Sequence, residues 1–125
     1  MNLSKRVIFT GSKPHEDVMK ILSKSGVGLA IYTDDFPWTK YGDSMKAREY
    51  LACGLPVIIT NVPSTADDIE NARAGMVIKG VSEIETAIDH LFKDEKSYQK
   101  IKKNAFALAK KFDFAKTVAA TSLEI

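Results

Sequence analysis

One cysteine, Cys53, and two histidines, His15 and His90, are the only residues of those two types in this 125-residue chain. A lone thiol closes no internal disulfide, and no zinc-ligand spacing can be written from so few residues, so no metal is expected and a reducing cytoplasm is the expected setting. No apolar run approaches the roughly 18 or more residues that span a bilayer. The opening Met1-Asn2-Leu3-Ser4-Lys5-Arg6 leads into a short strand-like segment instead of a signal-peptide core. Charge of one sign is also lacking: 18 basic against 16 acidic side chains leave +2, too little to call for nucleic acid. There is no internal repeat and no low-complexity linker. What remains, 45% hydrophobic and 27% charged residues, is ordinary for a globular protein. Residues 1–125 are expected to form a single domain, long enough to bury roughly two thirds of the surface of the unfolded chain.

The hydrophobic pattern alternates between two periods. Arg6-Val7-Ile8-Phe9-Thr10 is a β-branched apolar run stopped by Gly11 and predicts a buried strand. Val18, Ile21 and Leu22 recur at helical spacing up to Gly26, which is placed to end that helix in a left-handed cap. Val27-Gly28-Leu29-Ala30-Ile31-Tyr32 carries apolar side chains on both faces, as a central strand of a parallel sheet does. Thr33 to Asp43 has no periodicity and reads as a long functional loop. Ser44 then caps a helix to Ala52, closed by Gly54 and Pro56. Val57-Ile58-Ile59-Thr60 and Gly75-Met76-Val77-Ile78 are further strands, with a helix capped by Ser64 between them. Ser82 and Glu85 form a capping box before Ile84, Ala87, Ile88 and Leu91. Tyr98, Ile101, Ala105, Leu108 and Phe112 mark another amphipathic helix, and a last short one starts after Asp113. The expectation is an α/β, Rossmann-like fold: a parallel sheet of about four strands with helices on both faces and ligands beyond the strands' carboxyl ends.

The most informative stretch runs from Tyr41-Gly42-Asp43-Ser44-Met45-Lys46-Ala47-Arg48-Glu49 through Tyr50-Leu51-Ala52-Cys53-Gly54-Leu55-Pro56-Val57-Ile58. It resembles the donor-site signature of retaining GT-B glycosyltransferases of the glycosyl-transferases group 1 (family 4) class. Their pattern is Glu, seven residues, Glu, then a small-residue helix end, Gly, Pro and an apolar strand. Further landmarks extend the likeness over nearly the whole chain: Val7 to Gly11, Val27 to Tyr32, Ser64 to Gly75, and Lys111-Phe112-Asp113-Phe114. Within that family the chain looks like a partial C-terminal, donor-binding domain. The resemblance implies that the backbone at Ser44, Met45 and Lys46 faces a pyrophosphate, with Lys46 adding positive charge, and that Glu49 accepts from the ribose. Gly11, Lys13, Pro14 and His15 match the loop that contacts the base. The substrate implied is a UDP-, GDP- or ADP-sugar, with no cofactor.

Two departures matter. The first glutamate of the pair falls at Tyr41; Asp43 and Asp35 are out of register with it, so no catalytic residue is assigned. Tyr41, Asp43 and Trp38 are candidate sugar or loop contacts, with packing of the loop on the domain slightly favoured for Trp38. The family's donor domain also begins with two βα units that this chain lacks. They carry the Arg and Lys of the diphosphate clamp, and their strands lie between those matched by Val7–Thr10 and Val27–Tyr32. The strands would close up directly, or a second chain or a swapped copy would fill the gap.

Plainer roles stand beside each of these. Glu49, Lys46 and His15 are residue types usually found solvated. Cys53 fits a buried inert thiol better than a nucleophile. Lys100, Lys102, Lys103, Lys110 and Lys111 form the solvated side of one helix or, alternatively, a lipid-contacting patch. The function expected is the nucleotide-sugar-binding portion of an enzyme transferring a hexose, with retention, to a glycan or lipid-linked acceptor. The isolated chain is expected to be inactive, because the N-terminal acceptor domain is missing. The rival reading is a non-catalytic subunit domain that pairs with a separately encoded half or with a second copy. A receiver-like signalling domain is disfavoured, because Thr10-Gly11-Ser12 follows the first strand where an acidic cluster is required.

Overall fold

The computed structural model describes residues 5–33 and 44–123, with side chains through Phe112. Among the described residues five helices, α1 (His15–Ser23), α2 (Met45–Ala52), α3 (Thr65–Ala72), α4 (Ile84–Leu91) and α5 (Glu95–Leu123), surround three strands, β1 (Gly28–Ala30), β2 (Val57–Thr60) and β3 (Gly75–Ile78). A single 3-10 turn, Val81–Glu83, precedes α4. The sheet is parallel in the order β1-β2-β3, with Leu29 opposite Ile58 and Ile58 opposite Met76. Consecutive parallel strands need a crossover, which α2 and α3 provide.

Every residue of β2 is buried. Its alternate side chains serve two cores, because successive strand residues point to opposite faces. Val57 and Ile59 pack with Ala47 and Leu51 of α2, Ala66 and Ile69 of α3, and Ala105 and Leu108 of α5. Ile58 faces the other way, with Ile78 and with Ala87 and Leu91 of α4. Each of Leu51, Ile58, Ile59, Ile69 and Leu91 is fully buried, stabilising the fold by roughly 1.5–3 kcal/mol apiece. Helices therefore cover both faces of a parallel sheet, as the sequence pattern predicts.

The strand expected at Arg6–Thr10 does not form. These residues are unpaired backbone, and Ile8 and Phe9 are 84% and 94% exposed. The described sheet thus has three strands where about four were expected, and β1, expected to be central, lies at its edge, with Leu29 41% exposed. A strand needs a partner for its backbone groups, and none of the described strands pairs with these residues.

The helix ends differ in detail from expectation. Helix α1 stops at Ser23 with Lys24 as its cap, in a right-handed conformation, and Gly26 is instead packed under the Phe92 ring. Neither Ser64 nor Ser82 makes a side-chain cap; the main-chain N–H of Lys79 donates to the Glu83 carboxylate, and α4 follows the 3-10 turn. Helix α5 continues unbroken past Asp113 to Leu123, so no separate last helix begins there. Gly54 does close α2, at φ +71.

Candidate functional site

Ser44 is the residue on which the site is built. Its hydroxyl oxygen accepts the Ala47 N–H (3.1 Å), closing the first turn of α2 as the sequence predicts. The same oxygen lies 2.7 Å from the Tyr32 hydroxyl, and the Ser44 N–H donates to Thr65 Oγ1 (2.8 Å). The Tyr32 N–H in turn donates to Thr60 Oγ1 (2.8 Å). Ser44, Thr60 and Thr65 are at most 1% exposed. A buried polar group is tolerated when it is bonded, and here that bonding ties the start of α2 to the ends of β1 and β2 and to the start of α3. Tyr32, Thr60 and Thr65 were not foreseen as part of the site. Thr60 gives one hint, as the polar residue ending an otherwise apolar strand.

A cleft of about 210 Å³ opens between α1, α2 and α5, lined by His15, Met19, Met45, Arg48, Glu49, Ala52, Ala109 and Phe112. Of the residues singled out in the sequence, it gathers His15, Met45 and Glu49. His15 stands at the first position of α1, whose turn is formed by the Asp17 and Val18 N–H groups bonding to the Pro14 carbonyl (3.0 and 3.1 Å). Met45 and Glu49 are one turn apart on α2 and so share a face. The Met45 side chain is 66% exposed. Arg48, not foreseen, brings a guanidinium into the cleft, 4.4 Å from the centre of the Phe112 ring, a cation–π contact that holds it there.

Gly11, Lys13 and Pro14 do not line this cleft. Gly11 is in the left-handed region at φ +68, and Lys13 is exposed. Lys46 turns the other way, with its ammonium 5.9 Å from the centre of the Tyr32 ring. Tyr32 belongs to a second opening, a groove of about 440 Å³ at the carboxyl ends of all three strands, where Ile31, Tyr32 and Thr33 meet Thr60, Asn61 and Val62 and Lys79, Gly80 and Val81. The two openings flank the start of α2: Met45 lines one, and Ser44 is bonded to Tyr32 of the other. Trp38, Tyr41 and Asp43 lie outside the described residues.

Cys53 follows α2, with its thiol 4.0 Å from Met19 Sδ. Burial, and secondarily the negative charge of Glu49, push the thiol up from its ordinary value. A nucleophilic cysteine needs the opposite, a thiolate stabilised by positive charge. Replacing Glu49 with Gln removes one of the two causes, so alkylation of Cys53 by iodoacetamide at pH 8 is expected to be faster in Glu49→Gln than in the unchanged protein. An unchanged rate would mean that the carboxylate does not act on the thiol. Among the described residues no three His, Cys, Asp or Glu side chains are grouped to hold a metal ion, and no helix is long and apolar enough to cross a membrane.

A three-layer α/β domain with openings at the strand ends and beside an N-capped helix defines a Rossmann-like class of fold. Within that class, residues 1–120 match the family described as glucosyltransferase 3-like, C-terminal domain, and the chain belongs to that family, a glycosyltransferase-related C-terminal domain. It is similar to glucosyltransferase 3 of Streptococcus gordonii, at 27% identity over 131 residues that take in 99% of this chain and 39% of that protein. It is also similar to glucosyltransferase 3 of Streptococcus parasanguinis, at 30% identity over 84 residues, 66% of this chain and 26% of that protein. The chain therefore spans about two fifths of the length of the first of these relatives. No solved structure matches it.

Proposed function

We propose that this domain is the donor-binding portion of a GT-B, family 4 type glycosyltransferase and holds a nucleoside diphosphate sugar, UDP-, GDP- or ADP-linked, for retaining transfer of a hexose to a glycan or lipid-linked acceptor. The observation that carries the reading is the meeting of His15, from the start of α1, with Met45 and Glu49 of α2 in one cleft. These residues come from separate parts of the sequence, and the resemblance gives His15, Met45 and Glu49 the base, the pyrophosphate and the ribose of a single ligand. Glu49 supplies a carboxylate acceptor for ribose hydroxyls, and the exposed Met45 and the His15 ring offer faces to a base. The start of α2, with its N–H dipoles, presents positive potential to phosphate. Membership of a glucosyltransferase-named family supports transfer as the reaction and glucose as the first sugar to try. A cytoplasmic setting belongs to the same proposal, supported by the lone cysteine, which closes no internal disulfide.

The test is calorimetric or NMR titration with UDP, GDP, ADP and their glucose conjugates. Binding of one of them, with the amides of α2 and His15 perturbed, is the expected result; a chain that binds none would remove the reading.

The exposed Val7-Ile8-Phe9 run and the place of β1 at the edge of the described sheet favour a second reading, in which the domain works as a subunit against another polypeptide or a second copy. Mass photometry separates the cases. A dimer or stable hetero-complex is expected under this reading, and a monomer at all concentrations and in the presence of candidate partners sinks it.

A further inference from the structure

The charge of the chain is unevenly placed. Residues 96–112 of α5 hold six lysines and no acidic side chain, so this stretch is +6 within a chain of +2 overall. At about 100° per residue, Lys96, Lys100, Lys103, Lys110 and Lys111 fall within an arc of roughly 100° on one face of the helix and form a row about 22 Å long. All five are exposed. The opposite face is the one that packs, with Ala105, Leu108 and Ala109 buried in the core shared with α2 and α3. The sixth lysine, Lys102, is turned off the row, its ammonium 5.9 Å from the centre of the Tyr98 ring. A solvated helix face gains from carboxylates three or four residues from its lysines, and like charges at that spacing oppose the helix. The charged residues at that spacing from Lys96, Lys100 and Lys103 are lysines alone, and the first acid after Glu95 is Asp113. Beside Lys100 lies a groove of about 390 Å³ in which the Arg73 guanidinium faces the Glu70 carboxylate as its counter-charge, so the excess belongs to the row itself. Two apolar side chains interrupt the lysines: Ala107 within the row, and at its border Phe106, 47% exposed, with its ring against Gly54.

We propose that this face of α5 docks the domain on the surface of a bilayer containing anionic lipid. The row is straight, and its charges are ammonium groups on flexible stems, which follow mobile headgroups without demanding fixed geometry. Lysines that lie along one side of a helix come within a screening length of a flat charged surface together, so their attractions add. The aliphatic stems, Ala107 and the edge of Phe106 supply apolar contact at headgroup depth. A nucleic acid would call for arginine forks and free aromatic faces, and the row has neither, the Phe106 ring being packed on Gly54. Ala109 and Phe112 of the same helix line the Glu49 cleft from the side away from the row, so a domain resting on its lysines keeps that cleft clear of the bilayer. The proposal does not depend on what the cleft binds.

The probe is sucrose-loaded vesicles, of phosphatidylcholine alone and of phosphatidylcholine mixed with phosphatidylglycerol, sedimented with the chain at low and at high salt. The chain is expected to sediment with the mixed vesicles, to stay in solution with phosphatidylcholine alone, and to be released by high salt. The double variant Lys100→Gln, Lys103→Gln should bind the mixed vesicles roughly 25-fold more weakly, about fivefold for each lysine lost from an anionic surface. Lys20→Gln with Lys79→Gln removes the same charge from α1 and from the end of β3, and should bind nearly as the unchanged protein does. Both lysines of the row are exposed and glutamine is close to lysine as a helix former, so circular dichroism and the melting temperature should be unaltered in the first variant. Absence of binding to the mixed vesicles overturns the proposal, as does an equal loss in the two double variants, which would make the attraction one of net charge. A soluble poly-glutamate peptide that binds as tightly as the vesicles, and is lost with Lys100 and Lys103, would also overturn it, by assigning the face to an acidic protein.

Discussion

Glu49→Ala is expected to weaken binding of the preferred nucleoside diphosphate by roughly 10- to 100-fold, measured by calorimetry. A hydrogen bond to a charged group contributes about 1.5–3 kcal/mol, and each 1.4 kcal/mol is about a factor of ten in affinity. The effect should be confined to binding. Glu49 sits on the cleft side of α2, whereas the helix is held by the buried Ala47 and Leu51 on its other face, so the melting temperature should move little. Glu49→Gln is the informative companion: it keeps an oxygen acceptor but no charge, and should retain part of the affinity that alanine loses. Equal affinity for all three proteins would take Glu49 out of the site.

The second large effect concerns stability. Gly75 opens β3 opposite Val57, and a Cβ placed on it would stand 1.8 Å from the Val57 carbonyl oxygen. The obstacle is backbone of the central strand, which no rotamer change can clear. Gly75→Ala must therefore push β3 away from β2 at the point where the pairing begins. A loss of about 3 kcal/mol is expected, at or above the upper end for overpacking a core, read from urea denaturation. Gly80→Ala is the comparison, because nothing lies within 4 Å of the position its Cβ would occupy, and that variant should be nearly neutral. If the two variants prove equally stable, the close approach of β2 and β3 is wrong.

The parts of the fold legible in the sequence are those where local pattern and tertiary setting agree. Val57-Ile58-Ile59-Thr60 is apolar on both faces, and β2 is covered on both faces; Ser44 stands before a small helix, and it caps that helix. Val7-Ile8-Phe9 has the same composition as a buried strand, yet it lies exposed, since composition records what a segment could bury and not whether a neighbour is there to bury it. Ser82 and Glu85 have the spacing of a capping box, but Ser82 lies inside the 3-10 turn Val81–Glu83 and the helix starts only at Ile84, so Ser82 is not at its cap position.

The candidate site divides in the same way. His15, Met45 and Glu49 could be picked out because each belongs to a stretch with a recognisable pattern, and the structure places them in one cleft. Lys46 lies on the same helix but turns toward Tyr32, which helical spacing alone leaves open. Arg48 and Phe112 are far apart in the chain and meet only because α5 packs across α2. The bonds joining Ser44 to Tyr32 and Thr65 are likewise products of the crossover geometry, since a hydroxyl in a sequence does not say which element will approach it.

The short edge strand has a practical side for handling the protein at high concentration. In β1 only Leu29 turns its main-chain groups away from β2, and its carbonyl already accepts the Tyr50 hydroxyl, so the exposed Val7-Ile8-Phe9 is the stretch on which neighbouring molecules would associate. A gatekeeping lysine at Phe9, which is 94% exposed and lines neither opening, would interrupt such association. The same position marks where a solubility-minded redesign of this domain should begin.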